Sequence, residues 1–137
     1  MKKKKSIITE ISFIIVVIVV IVYLTDSRKK LNNEIFLNGN FAIGTFTKFI
    51  TQSIGQSRSY NYFYNNKQGE KVDVVSSEYL PKREQRKKII KGDQFFVIYN
   101  DDGASIFFDR PIKDSSDFKQ YINEIQEIRL QKQNEQD

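Results

Sequence analysis

The chain contains neither cysteine nor histidine. Without cysteine there is no disulfide, no thiolate nucleophile, no lipid-modified cysteine and no zinc site of the Cys/His kind. Without histidine the commonest general base is missing. Several short motifs are absent as well. There is no Asn-x-Ser/Thr acceptor, no Gly-x-Ser-x-Gly elbow to present a nucleophilic serine, no phosphate-cradling glycine loop and no Ala-x-Ala cleavage site. What remains for acid–base or Ca²⁺ chemistry is Asp101, Asp102 and Asp109. These residue types in that setting are equally the ordinary occupants of a hairpin turn. Neither a cofactor nor a small-molecule substrate is implied.

Against these absences stands one long hydrocarbon run. Ile7–Leu24 is almost entirely Ile, Val and Phe, and it directly follows Lys2, Lys3, Lys4 and Lys5. As a helix it would extend roughly 27 Å, close to a hydrocarbon core of about 30 Å. A signal anchor, a cleaved signal peptide and a buried soluble helix compete for this segment. Phe13 to Val22 is apolar on every face, which disfavours a soluble amphipathic helix. The small residues near its end, Thr25 and Ser27, make a poor cleavage site. The reading is therefore a membrane anchor, with Lys2–Lys5, Phe13, Ile14, Ile18 and Ile21 as its body and Tyr23 as an interfacial aromatic. Glu10 lies one turn from the lysines, where its charge can reach water. Four basic residues precede the run and three (Arg28, Lys29, Lys30) follow it. That bias favours an N-inside, C-outside chain, with the bilayer as its first partner and its lysines on the inner side.

The net charge of +5 belongs largely to the lysine cluster. Beyond Leu24 the chain carries 18 basic and 16 acidic residues. A nearly neutral domain gives no bulk argument for nucleic acid. The organisation expected is a basic cytoplasmic flank at 1–6, a transmembrane anchor at 7–24, a linker at 25–40, a small β domain at 41–112, and a C-terminal helix with a frayed tail at 113–137. Within the linker a helix can continue to about Leu37, where Asn38-Gly39-Asn40 would stop it by tolerating left-handed backbone.

Five runs rich in β-branched and aromatic residues follow: Phe41–Ile50, Tyr60–Tyr64, Glu70–Val75, Gln94–Tyr99 and Ala104–Phe108. Asn65–Gly69 and Asn100–Gly103 read as hairpin turns. About five antiparallel strands suggest a small SH3-like or OB-like barrel or a curled sheet. The tail changes period: Asp114–Asp117 supplies capping residues, then Phe118, Tyr121, Ile122, Ile125 and Ile128 recur at helical spacing. That stripe fits either the sheet or a partner.

The candidate contact surface is the basic segment Lys82, Arg83, Arg86, Lys87, Lys88 and Lys91, flanked by the exposed part of a strand carrying Tyr60, Tyr62 and Tyr64 on one face. A solvated loop or short helix, half-buried tyrosines, an acidic partner, an anionic headgroup and single-stranded nucleic acid are all compatible with it. An extracytoplasmic domain disfavours the last.

The stretches Ala42–Lys48, Lys91–Tyr99 and Phe108–Ile112 carry a resemblance to the short, uncharacterised single-pass proteins of Bacteroidota-type bacteria. Those join a lysine-led anchor to a small β-rich domain of unknown function. Such proteins place an Asn-Pro turn after the tyrosine, where this chain has Asn100-Asp101-Asp102-Gly103. The resemblance implies an anchored β domain and no catalytic residues. The expected role is non-enzymatic protein or envelope-surface interaction. The alternatives are a cytoplasm-facing domain that binds nucleic acid or anionic lipid, and a carboxylate-dependent hydrolase.

Overall fold

The computed structural model describes residues 2–51 and 58–136. Lys2, Lys3, Lys4 and Lys5 lie within helical backbone but outside the residues whose side chains are described. The chain divides into two compact units, Met1–Glu34 and Ile35–Asp137.

The first unit is the bulk of helix α1, which runs without a break over Lys2–Asn38. Its stretch from Ile7 is long and apolar enough to cross a membrane. Phe13, Ile14, Ile18, Ile21 and Tyr23 are all exposed. The β-branched residues here have modest helix propensity, so packing or a lipid solvent must favour the helix. Thr25 donates its hydroxyl to the Ile21 carbonyl one turn back, at 2.8 Å, which keeps that polar group satisfied within the helix.

The second unit is a five-stranded antiparallel sheet with a helix. Its strands are β1 (Asn40–Thr51), β2 (Arg58–Asn65), β3 (Lys71–Ser76), β4 (Gln94–Asn100) and β5 (Gly103–Pro111). A one-turn helix, α2 (Arg83–Arg86), lies between β3 and β4, and α3 (Ser115–Gln136) ends the chain. The strand order is β3-β2-β1-β4-β5. Both hairpin turns form around an asparagine. Asn66 Oδ1 accepts from the amides of Gln68 and Glu70, and Asn100 Oδ1 accepts from those of Asp102 and Gly103.

Of the two forms expected, a barrel or a curled sheet, the barrel is corrected: the sheet is open, with β3 and β5 as its two edges. It is nonetheless strongly curled. In a flat sheet β2 and β5 would lie about 14 Å apart across two intervening strands. Yet the rings of Tyr60 and Phe108 meet edge-to-face with centroids 5.0 Å apart, and those of Phe46 and Phe108 at 6.4 Å. Two irregularities produce the bend. β1 shifts register between Phe46 and Lys48, and β5 shifts opposite Phe95 and Phe96. The 77–93 connection occupies the seam that a closed barrel would have paired. Tyr60 donates its hydroxyl to the Glu78 carbonyl at 2.5 Å, and Gln85 Nε2 donates to the Phe108 carbonyl at 3.3 Å. Leu80 and Ile89 pack on the core from above.

Each face of the sheet has its own cover. The concave face holds Ala42, Phe46, Tyr60, Tyr62, Tyr64, Phe95, Val97, Tyr99, Ile106 and Phe108 as one buried cluster. On the other face Phe96 touches the rings of Phe118 and Tyr121 of α3, and Ile125 is wholly buried. β4 is therefore buried on both sides from Phe95 to Tyr99. Helix α3 begins on a reciprocal cap. Asp114 Oδ1 accepts from the amides of Ser116 and Asp117, while Asp117 Oδ2 accepts from that of Asp114. The helix then continues to Gln136. Gln, Lys and Glu are good helix formers even without a buried face.

Candidate functional site

The sheet has two ends of different character. At one, α1 hands over to β1 and both hairpin turns lie. At the other, β1 ends, β2 begins and the 77–93 connection crosses. That connection is anchored by the backbone: Gly92 N donates to the Phe46 carbonyl at 2.9 Å, and Phe46 N donates to the Asp93 carbonyl at 2.8 Å. Asp93 Oδ2 accepts from the Ile90 amide at 2.9 Å, which closes the turn before β4.

Within this scaffold Lys82, Arg83, Lys87, Lys88 and Lys91 are exposed. Arg86 is half-buried, and its guanidinium donates to the Pro81 carbonyl at 3.1 Å. Partial burial, and then the nearby cations Arg58 and Arg83, lower its pKa below the ordinary arginine value. Arg58, at the start of β2, thus joins a cluster that its sequence position did not signal. The ion pairs among the described residues lie elsewhere, joining Lys71 to Asp73 and Arg110 to Asp109 and Glu124. Residues 77–93 hold six basic and three acidic side chains. One of those acids, Asp93, already serves the Ile90 amide.

The tyrosine half of the expected surface is corrected. Tyr60, Tyr62 and Tyr64 do share one face, but it is the concave one, and they are 1%, 1% and 4% exposed. Curling of the sheet turns that face inward, so these rings are core and present no stacking platform. Burial, with smaller effects from neighbouring groups, raises the Tyr62 hydroxyl far above its ordinary range and raises Tyr60 and Tyr64 as well. None can act as an acid or base near neutrality. The Tyr62 hydroxyl is buried with no hydrogen-bond partner among the described residues. Replacing Tyr62 by phenylalanine should therefore stabilise the domain by about 1–2 kcal/mol, because an unpaired buried hydroxyl costs about that much. A lower urea midpoint for the variant would refute this.

The carboxylates are not assembled. Asp101 and Asp102 occupy the β4–β5 turn, while Asp109 is near the far end of β5, beside Arg110. A cleft of about 220 Å³ opens beside the basic connection. Phe95 and Phe108 form part of its apolar wall, Gln85 and Ile89 line it from the connection, and Lys88 and Lys113 contribute to its rim. Its lysines extend the basic end toward the start of α3.

One apolar helix followed by an open, curled antiparallel sheet backed by a second helix defines the architecture. No protein-family model, curated protein or solved structure matches the chain.

Proposed function

We propose that this chain is a single-pass protein of the bacterial cytoplasmic membrane, whose β domain faces outward and works by binding rather than by catalysis. The anchor is Ile7–Leu24, with Lys2–Lys5 inside. The domain meets an anionic partner, a protein or another component of the envelope, through the connection bearing Lys82, Arg83, Arg86, Lys87, Lys88 and Lys91. The observation that carries this reading is a group of cations held on a bridged scaffold and left without carboxylate partners among the described residues. A surface of this kind gains steering and affinity when an acidic partner arrives.

The test is charge reversal. Lys87→Glu, Lys88→Glu and Lys91→Glu together should abolish partner capture by cross-linking in intact envelopes. All three side chains are exposed, so the tyrosine circular dichroism should remain unchanged. Capture at the wild-type level would refute the assignment.

A further inference from the structure

The basic end also displays two large apolar side chains among its cations. Tyr79 is 64% exposed and Ile90 is 66% exposed. Tyr79 precedes the cationic stretch and Ile90 lies within it, just before Lys91, so both stand on the same connection. Tyr79 also adopts a positive φ of 54°, the one such non-glycine residue among those described. A bulky residue is rarely found there, and the conformation costs on the order of 1–3 kcal/mol. The fold thus spends strain at the residue that carries this exposed ring.

The adjoining contacts explain why the pair stays outside. Leu80 and Ile89, the sequence neighbours of Tyr79 and Ile90, turn inward onto the aromatic core. Glu78 is fixed through its carbonyl by Tyr60, and the Ile90 amide by Asp93. With those points pinned, the next residue along the backbone faces water. Cations with an interspersed aromatic and an aliphatic side chain are the chemistry of a surface that meets lipid headgroups. Cations alone suit any polyanion, whereas an exposed ring and an aliphatic side chain beside them add a gain where hydrocarbon lies just beneath the charge.

We infer that the 77–93 connection is an interfacial lipid-binding surface. Its cations contact the anionic headgroups of a bilayer while Tyr79 and Ile90 enter the headgroup–acyl boundary. The inference rests on the binding role proposed above and names the partner as anionic phospholipid. Charge complementarity supports it: residues 77–93 are net +3, and Arg58 and Lys113 add to the same end.

The experiment uses the full chain in nanodiscs of phosphatidylcholine, so that the anchor is already satisfied by neutral lipid. These are mixed with vesicles of phosphatidylcholine alone or with about one-third phosphatidylglycerol, and co-flotation is measured. Capture by the anionic vesicles only, weakening steeply with salt, is expected. The Lys87→Glu, Lys88→Glu, Lys91→Glu variant should weaken it by about a hundredfold or more, given the attraction each basic residue contributes near an anionic surface. Tyr79→Ser with Ile90→Ser should weaken it by about tenfold at unchanged charge. Lys2–Lys5 are present throughout, so equal capture by the charge-reversed variant would assign binding to them and overturn the inference. Capture indifferent to Tyr79 and Ile90 would overturn it too, leaving a plain polyanion site. If the wild type ignores anionic vesicles while the charge-reversed variant loses an envelope protein, the lipid assignment fails and the binding role stands. If neither capture depends on those lysines, both fail.

Discussion

Replacing Gly39 by alanine should destabilise the β domain by about 3 kcal/mol, near the upper end of what overpacking usually costs. A Cβ at this position would collide with the Ile35 carbonyl oxygen and would sit 2.6 Å from Ile98 Cγ2 and 2.9 Å from the Tyr99 carbonyl oxygen. Two of these obstacles are backbone. The Ile35 carbonyl already accepts the Gly39 amide at 2.8 Å, so it cannot withdraw without losing the bond that ends α1. Ile98 is itself wholly buried. Gly69 is a useful contrast: its φ is +78°, but nothing lies within 4 Å of where its Cβ would stand. Gly69→Ala should therefore cost about 1 kcal/mol from backbone conformation alone. Urea denaturation of the full chain in a non-ionic detergent, followed by tyrosine circular dichroism, would compare the two. Equal losses would refute the close-approach explanation.

The second large effect is expected at Arg129. Its guanidinium donates to the Phe36 carbonyl at 3.0 Å and to the Gly39 carbonyl at 2.9 Å, and it lies 4.7 Å from the centre of the Phe41 ring. Phe36 belongs to the last turn of α1, whose final carbonyls have no partners within the helix. A cation at the negative end of the helix dipole adds to the two hydrogen bonds. Burial lowers the pKa of this guanidinium, but it remains charged at any ordinary pH. Arg129→Ala should cost about 2–4 kcal/mol, through the charge-assisted bonds lost and the carbonyls left unpaired. Arg129→Lys should recover only part of it, since a point charge cannot span both acceptors. A loss below about 1 kcal/mol for the alanine variant would mean that water replaces the guanidinium at both carbonyls.

These two positions show where local sequence rules stop. The chain break at Asn38-Gly39-Asn40 is visible in the sequence, and α1 does end at Asn38. The mechanism is different, however, because Gly39 is not left-handed; Gly69 and Gly92 are the described glycines with positive φ. Gly39 is required because Ile98 and Tyr99 come close, and those residues lie nearly sixty positions away. Asn66, Asn100 and Asp114 were readable because each acts on amides within four residues of itself. The alternation of Tyr60, Tyr62 and Tyr64 was readable as a shared face. Whether that face points to solvent depends on curvature, which arises from bulges in β1 and β5 that no short pattern announces. Of the candidate surface, the cations of 82–91 are contiguous and could be seen. Arg58 reaches them only because β2 begins where the connection crosses.

The strand order has a consequence in time. β1 pairs with β2 on one side and with β4 on the other, and its partner for Asn40 is Tyr99. In a chain made from its N-terminus, the β1–β2–β3 meander can assemble from neighbours, but the second edge of β1 must wait for β4. Until then Phe41 and Ala42 stand beside unpaired backbone, an invitation to pairing with other chains. The second edge of β1 is thus closed only once Gln94–Asn100 has been made, and that strand is the one buried on both sides.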